Sequence, residues 1–204
     1  MVGTIQIGIF VWQLWLIRKS LVDTKVAADA AKTNADAVML SERAYVQMSH
    51  VQPGLIIKPG GGMCRVQMRI KNFGRTPARI TAEVLNVTPH IQGEQFPVAP
   101  EYRIPTGRDS VKAFLLTGDE IFAWEVFESM VIDTSKLNSG EQVLLMFGYV
   151  DYIDIFNRHH RTGYARHYRP RPDGDNLAYV AQSGYNYDRE RKKGDGNDWD
   201  EPKA

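Results

Sequence analysis

The sequence predicts a mainly β protein: an immunoglobulin-like antiparallel β-sandwich preceded by one N-terminal transmembrane helix and a helical stalk. Three observations lead to this prediction. Positions 2–17 hold no charged residue, positions 20–43 are rich in alanine without Gly or Pro, and beyond them apolar and polar residues alternate in short segments. We therefore expect a transmembrane anchor at 1–18, a stalk at 19–43, a β-sandwich domain at 44–168 and a disordered charged tail at 169–204.

The uncharged run at positions 2–17 predicts the anchor. As a helix its 16 residues span about 24 Å, less than the roughly 30 Å of a hydrocarbon core. Snorkelling of Arg18 and Lys19 covers the difference, and Trp12 and Trp15 lie towards the charged end, where indole rings favour the membrane interface. The alternatives are a buried core helix and a cleaved signal peptide. Signal peptides carry basic residues before the apolar run, whereas here they follow it, so we favour a retained anchor.

The alanine-rich stretch predicts a continuous helical stalk, because alanine has the highest intrinsic helix propensity. A seam of mostly small side chains recurs at heptad spacing: Leu21, Thr24, Ala28, Ala31, Ala35 and Val38. The seam permits a short coiled coil with a second copy. Because alanine buries little area, an unpaired stalk is favoured over this weak self-association.

Basic residues near the apolar run predict its orientation. Arg18, Lys19, Lys25 and Lys32 all follow the run, and only the α-amino group precedes it. Since Lys and Arg flanking a span stay on the cytoplasmic side, we expect a single-pass protein of the cell (inner) membrane with its β domain in the cytoplasm. A single cysteine, Cys64, suits a reducing compartment.

Alternating hydrophobicity predicts the strands. It is clearest at 63–70, where Cys64, Val66, Met68 and Ile70 alternate with polar residues. A turn with Gly and Pro at 72–77 precedes a second strand at 78–84. Further candidate strands lie at 44–51, 111–117, 142–153 and 162–168, a turn is expected at 137–140, and 121–132 fits either a helix or a strand. Six or seven short strands indicate a sandwich.

The last segment, 169–204, mixes charges with Gly and Pro, a composition that is typical of disorder. Four apolar or aromatic residues provide an alternative, a short additional segment packed on the domain: Tyr179, Val180, Tyr185 and Tyr187.

Four short motifs carry a resemblance to a known group of proteins. Residues 43–46 read Arg-Ala-Tyr-Val, and 72–78 read Asn-x-Gly-x-Thr-Pro-Ala. Residues 148–156 read Gly-x-x-x-Tyr-x-Asp-x-Phe, and 162–164 read Thr-x-Tyr. This pattern resembles uncharacterised bacterial single-pass membrane proteins with an N-terminal anchor, an alanine-rich stalk and a β-rich domain. The resemblance implies an architecture and no known activity. In such sequences a cysteine often follows the aromatic aligned with Tyr164; here the residue is Ala165, so a thiol role at that position is absent.

Composition excludes several function classes. A net charge of +1 with a pI near 7.8 provides no field to attract nucleic acid, so no nucleic acid partner is expected. A single cysteine excludes an intrachain disulfide and a zinc site with paired thiolates. The chain also has neither a Gly-x-Ser-x-Gly nucleophile elbow nor a phosphate-binding Gly-Lys-Ser/Thr loop. No catalytic residue and no cofactor are therefore predicted.

One polar cluster qualifies as a weak candidate metal site in the predicted hairpin at 148–168: Asp151, Asp154, His159, His160 and His167. The alternative is a polar, solvated turn, because four arginines in and just after this segment oppose a cation: Arg158, Arg161, Arg166 and Arg169. We therefore predict a membrane-anchored, non-enzymatic protein-interaction or scaffold module that binds the lipid bilayer and a protein partner. The alternative is a metal-dependent or hydrolytic domain that uses this cluster.

Overall fold

A computed structural model describes residues 2–57, 64–103, 113–127, 132–170 and 176–191. The chain divides into two compact units, Met1–Glu42 and Arg43–Ala204. The first unit is a helix, α1 (Val2–Glu42), which runs without a break through the predicted anchor and stalk. The helix predicted for 19–43 is thus confirmed over 19–42, as expected for a segment rich in alanine and free of Gly and Pro.

The predicted transmembrane anchor, in contrast, is not supported. Among the residues that the structure describes, no helix combines enough length with enough apolar character to cross a bilayer. Although α1 itself is long, its uncharged run has 16 residues and ends at Arg18 and Lys19. A span usually needs about 20 predominantly apolar residues.

The second unit is mainly β, which confirms the predicted class. The described residues form nine strands and a short helix: β1 (Val46–Ile57), β2 (Cys64–Asn72), β3 (Ala78–Ile91), β4 (Phe114–Leu115), β5 (Glu120–Phe127), α2 (Thr134–Ser139), β6 (Gln142–Asp154), β7 (His159–Arg169), β8 (Asn176–Tyr179) and β9 (Asp188–Glu190). Residues 64–70 of the alternating segment lie in β2, where alternate residues are buried, and 63 lies outside the described residues. The segment at 78–84 starts β3, and 121–127 of the ambiguous stretch is strand.

The strands form two antiparallel sheets. One sheet has the order β1-β2-β5, and the other has the order β4-β3-β6-β7-β8, with β9 also paired to β7. The main core contains side chains from both sheets, including Met68 and Ile70 of β2 and Leu144 and Tyr152 of β6. A second cluster lies on the other face of β6 and β7: Leu145, Phe147, Ala165, Val180 and Tyr185. The β6–β7 hairpin is therefore covered on both faces.

The β domain extends beyond the predicted boundary at Tyr168. Residues 176–191, expected to be part of a disordered tail, pair with β7 through β8 and β9, and Tyr185 is buried. The N–H of Gly163 donates to the carbonyl of Tyr187 at 2.7 Å. A Cβ atom at Gly163 would lie 2.7 Å from the Tyr185 carbonyl oxygen. Because glycine has no Cβ, the segment around Tyr185 can lie directly against β7. The alternative of a short added segment describes these residues correctly.

Two other local predictions differ from the structure. Residues 137–140 belong to helix α2 and its C-cap instead of a turn between strands. The Asp133 carboxylate caps α2 by accepting from the N–H groups of Ser135 and Lys136, and Gly140 ends it at a φ of 79°. Of the strand expected at 111–117, residues 113–117 are described, and only the two residues of β4 among them are strand. Positions 111 and 112 lie outside the described residues, as do 128–131 of the ambiguous stretch.

Candidate functional site

The five candidate metal-binding residues lie in the β6–β7 hairpin, but on opposite faces of the sheet. Tyr152 pairs with His160, and Asp151 pairs with Arg161. Because neighbouring side chains in a strand alternate between faces, Asp154 and His160 lie on the core face, beside Tyr152. The other three candidates lie on the outer face, which the second hydrophobic cluster covers: Asp151, His159 and His167. The pairing register therefore divides the predicted cluster into two groups.

On the core face, Asp154 and His160 form a buried pair. The Nε2 of His160 lies 2.9 Å from the Oδ2 of Asp154, and neither side chain is exposed to solvent. The Oδ1 of Asp154 accepts hydrogen bonds from the backbone N–H groups of Phe156 and Arg158, both at 2.9 Å. Asn157, between them, has a φ of 59°. The carboxylate thus holds the β6–β7 turn from inside the protein, whereas a solvated turn was the sequence-based alternative.

Tyr152 stacks on this pair. Its ring lies parallel to the His160 imidazole, with the centroids 5.0 Å apart, and its hydroxyl donates to the carbonyl of Ala44 at 3.5 Å. Burial, reinforced by the negative charge of Asp188, raises the pKa of Tyr152 well above its usual range. Asp188 in turn accepts from the guanidinium of Arg43 at 2.6 Å. This row of contacts connects the start of the domain to β9.

On the outer face, Asp151 is paired with an arginine. The Arg161 guanidinium donates from Nε and Nη2 to the two carboxylate oxygens at 2.7 and 2.8 Å, and it lies 3.7 Å from the centroid of the Tyr149 ring. His167 lies further along β7, 5.8 Å from the Phe96 ring by centroids. Burial lowers the pKa of His167.

This geometry has a direct chemical consequence. A bound transition metal needs three or four converging ligands. In the described part of the chain, no group of three or more His, Cys, Asp or Glu side chains is arranged to hold a metal ion. The Asp154–His160 pair resembles the acid–imidazole pairs of hydrolases, but its side chains are closed off from solvent and hence from a substrate. Cys64 is also buried, which raises its pKa to about 11 and keeps the thiol unreactive.

A further buried polar residue is Asn72, which the sequence predicts only as part of a turn. Its Oδ1 accepts from the N–H groups of Tyr45 and Gly74, and its Nδ2 donates to the carbonyls of Thr76 and Leu115. The available sequence signal is an asparagine at the end of an alternating strand, followed by Gly and Pro. Asn72 joins three segments that are distant in sequence: the start of β1, the β2–β3 turn and β4.

A different kind of surface lies on α1. Before the first charged residue of the helix, six large apolar side chains are exposed: Phe10, Trp12, Leu14, Trp15, Leu16 and Ile17. At 100° per residue these positions surround the helix instead of lining one side. The Nζ of Lys19 lies 5.6 Å from the centroid of the Trp15 ring.

No protein-family model and no curated protein matches the chain. One solved structure, described as the X-ray structure of Northeast Structural Genomics Consortium target SoR45, is similar over 62% of this chain and 87% of its own, with 9% sequence identity and a TM-score of 0.30. A similarity at that level carries no argument about fold or function.

Proposed function

We propose that this protein is a non-enzymatic interaction module, attached to a membrane by the apolar part of α1 and presenting an immunoglobulin-like domain to a protein partner. One observation carries the proposal: large apolar side chains surround α1 between positions 10 and 17 and are exposed. A helix that is apolar on all sides is normally buried, in a large protein core or in a bilayer. Exposure of such a collar to water is costly.

The residues at the end of the collar favour a bilayer as the surrounding medium. Trp12 and Trp15 come just before Arg18 and Lys19. Indole rings prefer the membrane interface, and the flanking cations reach the headgroups, which allows a short apolar run to insert. Because the basic residues follow the run, the β domain is assigned to the cytoplasmic face of a bacterial inner membrane, with one pass of the chain.

Strand order supports the immunoglobulin-like assignment. The order β1-β2-β5 corresponds to strands A-B-E of that fold, and β3-β6-β7 corresponds to strands C-F-G in the opposite sheet. β4 pairs with the free side of β3. By this correspondence the β2–β3 and β6–β7 turns are the B–C and F–G loops, which lie at one end of such a sandwich.

That end provides a surface for a protein partner. Four exposed apolar side chains lie in its turns: Phe73, Leu116, Ile155 and Phe156. The turns are neighbours, since Ala78 at the start of β3 pairs with Asp154, and the N–H of Gly118 donates to the carbonyl of Asn72 at 2.9 Å. Clustered apolar side chains on an exposed surface are typical of protein interaction sites. The closed Asp154–His160 pair favours such a binding role over catalysis.

Flotation of the full chain with vesicles tests the attachment. We expect the protein to float with vesicles of phosphatidylethanolamine and phosphatidylglycerol. A Leu14→Asp, Ile17→Asp variant should remain at the bottom of the gradient, because two carboxylates in the collar oppose insertion. The matched control, Ala30→Asp with Ala37→Asp, adds the same charge outside the collar and should float. Native protein that does not float, or equal flotation of both variants, would contradict the proposal.

A reporter fusion tests the orientation. Alkaline phosphatase joined after Arg191 leaves β8 and β9 intact, whereas a fusion after Tyr168 would remove them. A β domain in the cytoplasm predicts an inactive phosphatase and a fluorescent protein that is bright in the same position. High phosphatase activity in intact cells would place the domain on the other side of the membrane.

A further inference from the structure

The helix α1 is the only described element of its compact unit, so within that unit it has nothing to pack against. Of its side chains that the structure describes, none is buried. Helices in proteins gain most of their stability from tertiary packing of one face, and isolated helices are marginal in water. A helix of 41 residues with all its described side chains at least partly exposed therefore indicates a partner.

One face of α1 carries a regular seam over four heptads. Positions spaced alternately four and three residues apart form it: Phe10, Leu14, Ile17, Leu21, Thr24, Ala28, Ala31, Ala35 and Val38. Thr24 does not interrupt the seam, because its hydroxyl donates to the carbonyl of Ser20 at 2.7 Å in the same helix. The side chains change along the seam from large to small, and small side chains allow two helix backbones to approach closely. In heptad notation the seam occupies every a and d position from 10 to 38.

We infer that α1 pairs, in parallel orientation, with α1 of a second copy of this chain along this seam. The charges that flank the seam decide the orientation. Its e positions include Arg18, Lys25 and Lys32, whereas its g positions are uncharged, from Gln13 through Ser20 and Ala27 to Asn34.

In a parallel pair, e positions face g positions of the partner helix, so each cation meets a neutral residue. An antiparallel pair instead brings e positions together and sets cation against cation.

This pairing does not depend on membrane attachment. Six of the nine seam positions, from Leu21 to Val38, lie beyond the uncharged run. The seam also uses only one side of the apolar collar and leaves Trp12, Trp15 and Leu16 to the surrounding medium. The pairing and the attachment can therefore fail separately, and different measurements detect each failure.

Cysteine crosslinking of the full chain tests the pairing and its orientation. Ala28→Cys and Ala35→Cys place a thiol in the seam, whereas Ala30→Cys and Ala37→Cys place one at c positions of the same two turns. The native chain is the background, because Cys64 is buried. We expect the seam variants to form interchain disulfides about tenfold faster than the controls, since pairing raises the local thiol concentration.

Ala35→Cys also reports the orientation, because an antiparallel pair would place position 35 opposite the N-terminal part of the partner helix. A disulfide at 28 without one at 35 would overturn the parallel arrangement. Equal rates in seam and control variants would overturn the seam.

Light scattering in a mild non-ionic detergent gives an independent readout. We expect twice the chain mass of 23.1 kDa for the native protein and for Ala30→Asp, and the single chain mass for Ala28→Asp. Circular dichroism of both variants checks that the β domain remains folded. A native protein of single chain mass at micromolar concentration would overturn the inference, whether or not the protein floats with vesicles.

Discussion

Asn72 and Asp154 each stabilise a turn from a buried position, but their hydrogen-bond partners lie at different distances along the sequence. The hydrogen bonds of the Asn72 side chain reach Tyr45, 27 residues away, and Leu115, 43 residues away. Those of Asp154 reach no further than His160, six residues away. The Asn72 contacts thus require the domain to be assembled, whereas the Asp154 contacts can form within one hairpin. Closing a long loop costs more entropy than closing a short one, so the distant contacts stabilise only the complete fold.

The chemistry of the two side chains follows from their partners. The amide of Asn72 both accepts and donates, and it is surrounded by N–H groups and carbonyls. The carboxylate of Asp154 meets only N–H donors, two from the turn and one from an imidazole. An amide side chain can bond to both the N–H groups and the carbonyls of other segments, whereas a carboxylate only accepts and needs several donors close to it.

The largest effect is expected for Asn72→Ala. The change leaves buried groups of three segments without partners. We therefore expect the free energy of unfolding, measured by urea denaturation, to fall by about 3 to 4 kcal/mol. Asn86→Ala is a matched control, since Asn86 is also buried but accepts one bond, from the N–H of Arg103 at 3.0 Å. Asn86→Ala should lower the free energy of unfolding by about 1 kcal/mol. Equal losses in the two variants would contradict the cross-segment role of Asn72.

A smaller loss is expected for Asp154→Ala, about 2 to 3 kcal/mol, because the turn amides and the buried His160 lose their acceptor. Asp154→Asn retains one acceptor oxygen for the turn and should lose less. Urea midpoints of the two variants provide the measurement. The comparison between local and distant contacts would fail if Asp154→Ala were more destabilising than Asn72→Ala.

Asn157, in the turn that Asp154 holds, is expected to be close to neutral on change to glycine. Its positive φ is easier for glycine, but glycine also gains entropy in the unfolded chain, so Asn157→Gly should lie within about 0.5 kcal/mol of the native protein. Asn157→Val should cost about 1 to 2 kcal/mol, because a branched side chain is disfavoured at this φ. Thermal or urea unfolding of both variants distinguishes backbone strain from loss of the Asp154 bonds. A large loss for the glycine variant would show that the asparagine side chain contributes to the turn.

The smallest effect concerns pH and His167, which lies on the same strand as His160 but on the aromatic outer face. Burial lowers the pKa of His167 below its ordinary value of 6.5, so the unfolded chain binds the proton more readily than the folded chain. The native protein should therefore lose stability as the pH falls below about 6.5, and His167→Phe should lose less. Urea unfolding of both proteins at pH 7.5 and pH 5.5 measures this difference. If the native protein and His167→Phe differed in stability by the same amount at both pH values, a burial effect on this imidazole would be contradicted.

Sequence patterns predicted the elements whose signal is local. The alternation of Cys64, Val66, Met68 and Ile70 predicted β2, because the side-chain period of a strand is two residues. Alanine content predicted the helix after Ser20, since helix propensity is a property of each residue. The same local composition misled at 169–204, where polarity indicated disorder although residues 176–191 pair with β7.

Only the tertiary structure decided the candidate site. Five acidic and imidazole side chains within 17 residues indicated one cluster, but the register of β6 on β7 directs Asp154 and His160 to the core and Asp151, His159 and His167 to the other face. Register depends on the hydrophobic faces of both strands and on the turn between them, so a shift of one residue would reverse every assignment. The sequence by itself therefore determined the helix, the β class and most strand positions. Which polar groups meet was decided by contacts between segments distant in sequence, as at Asn72.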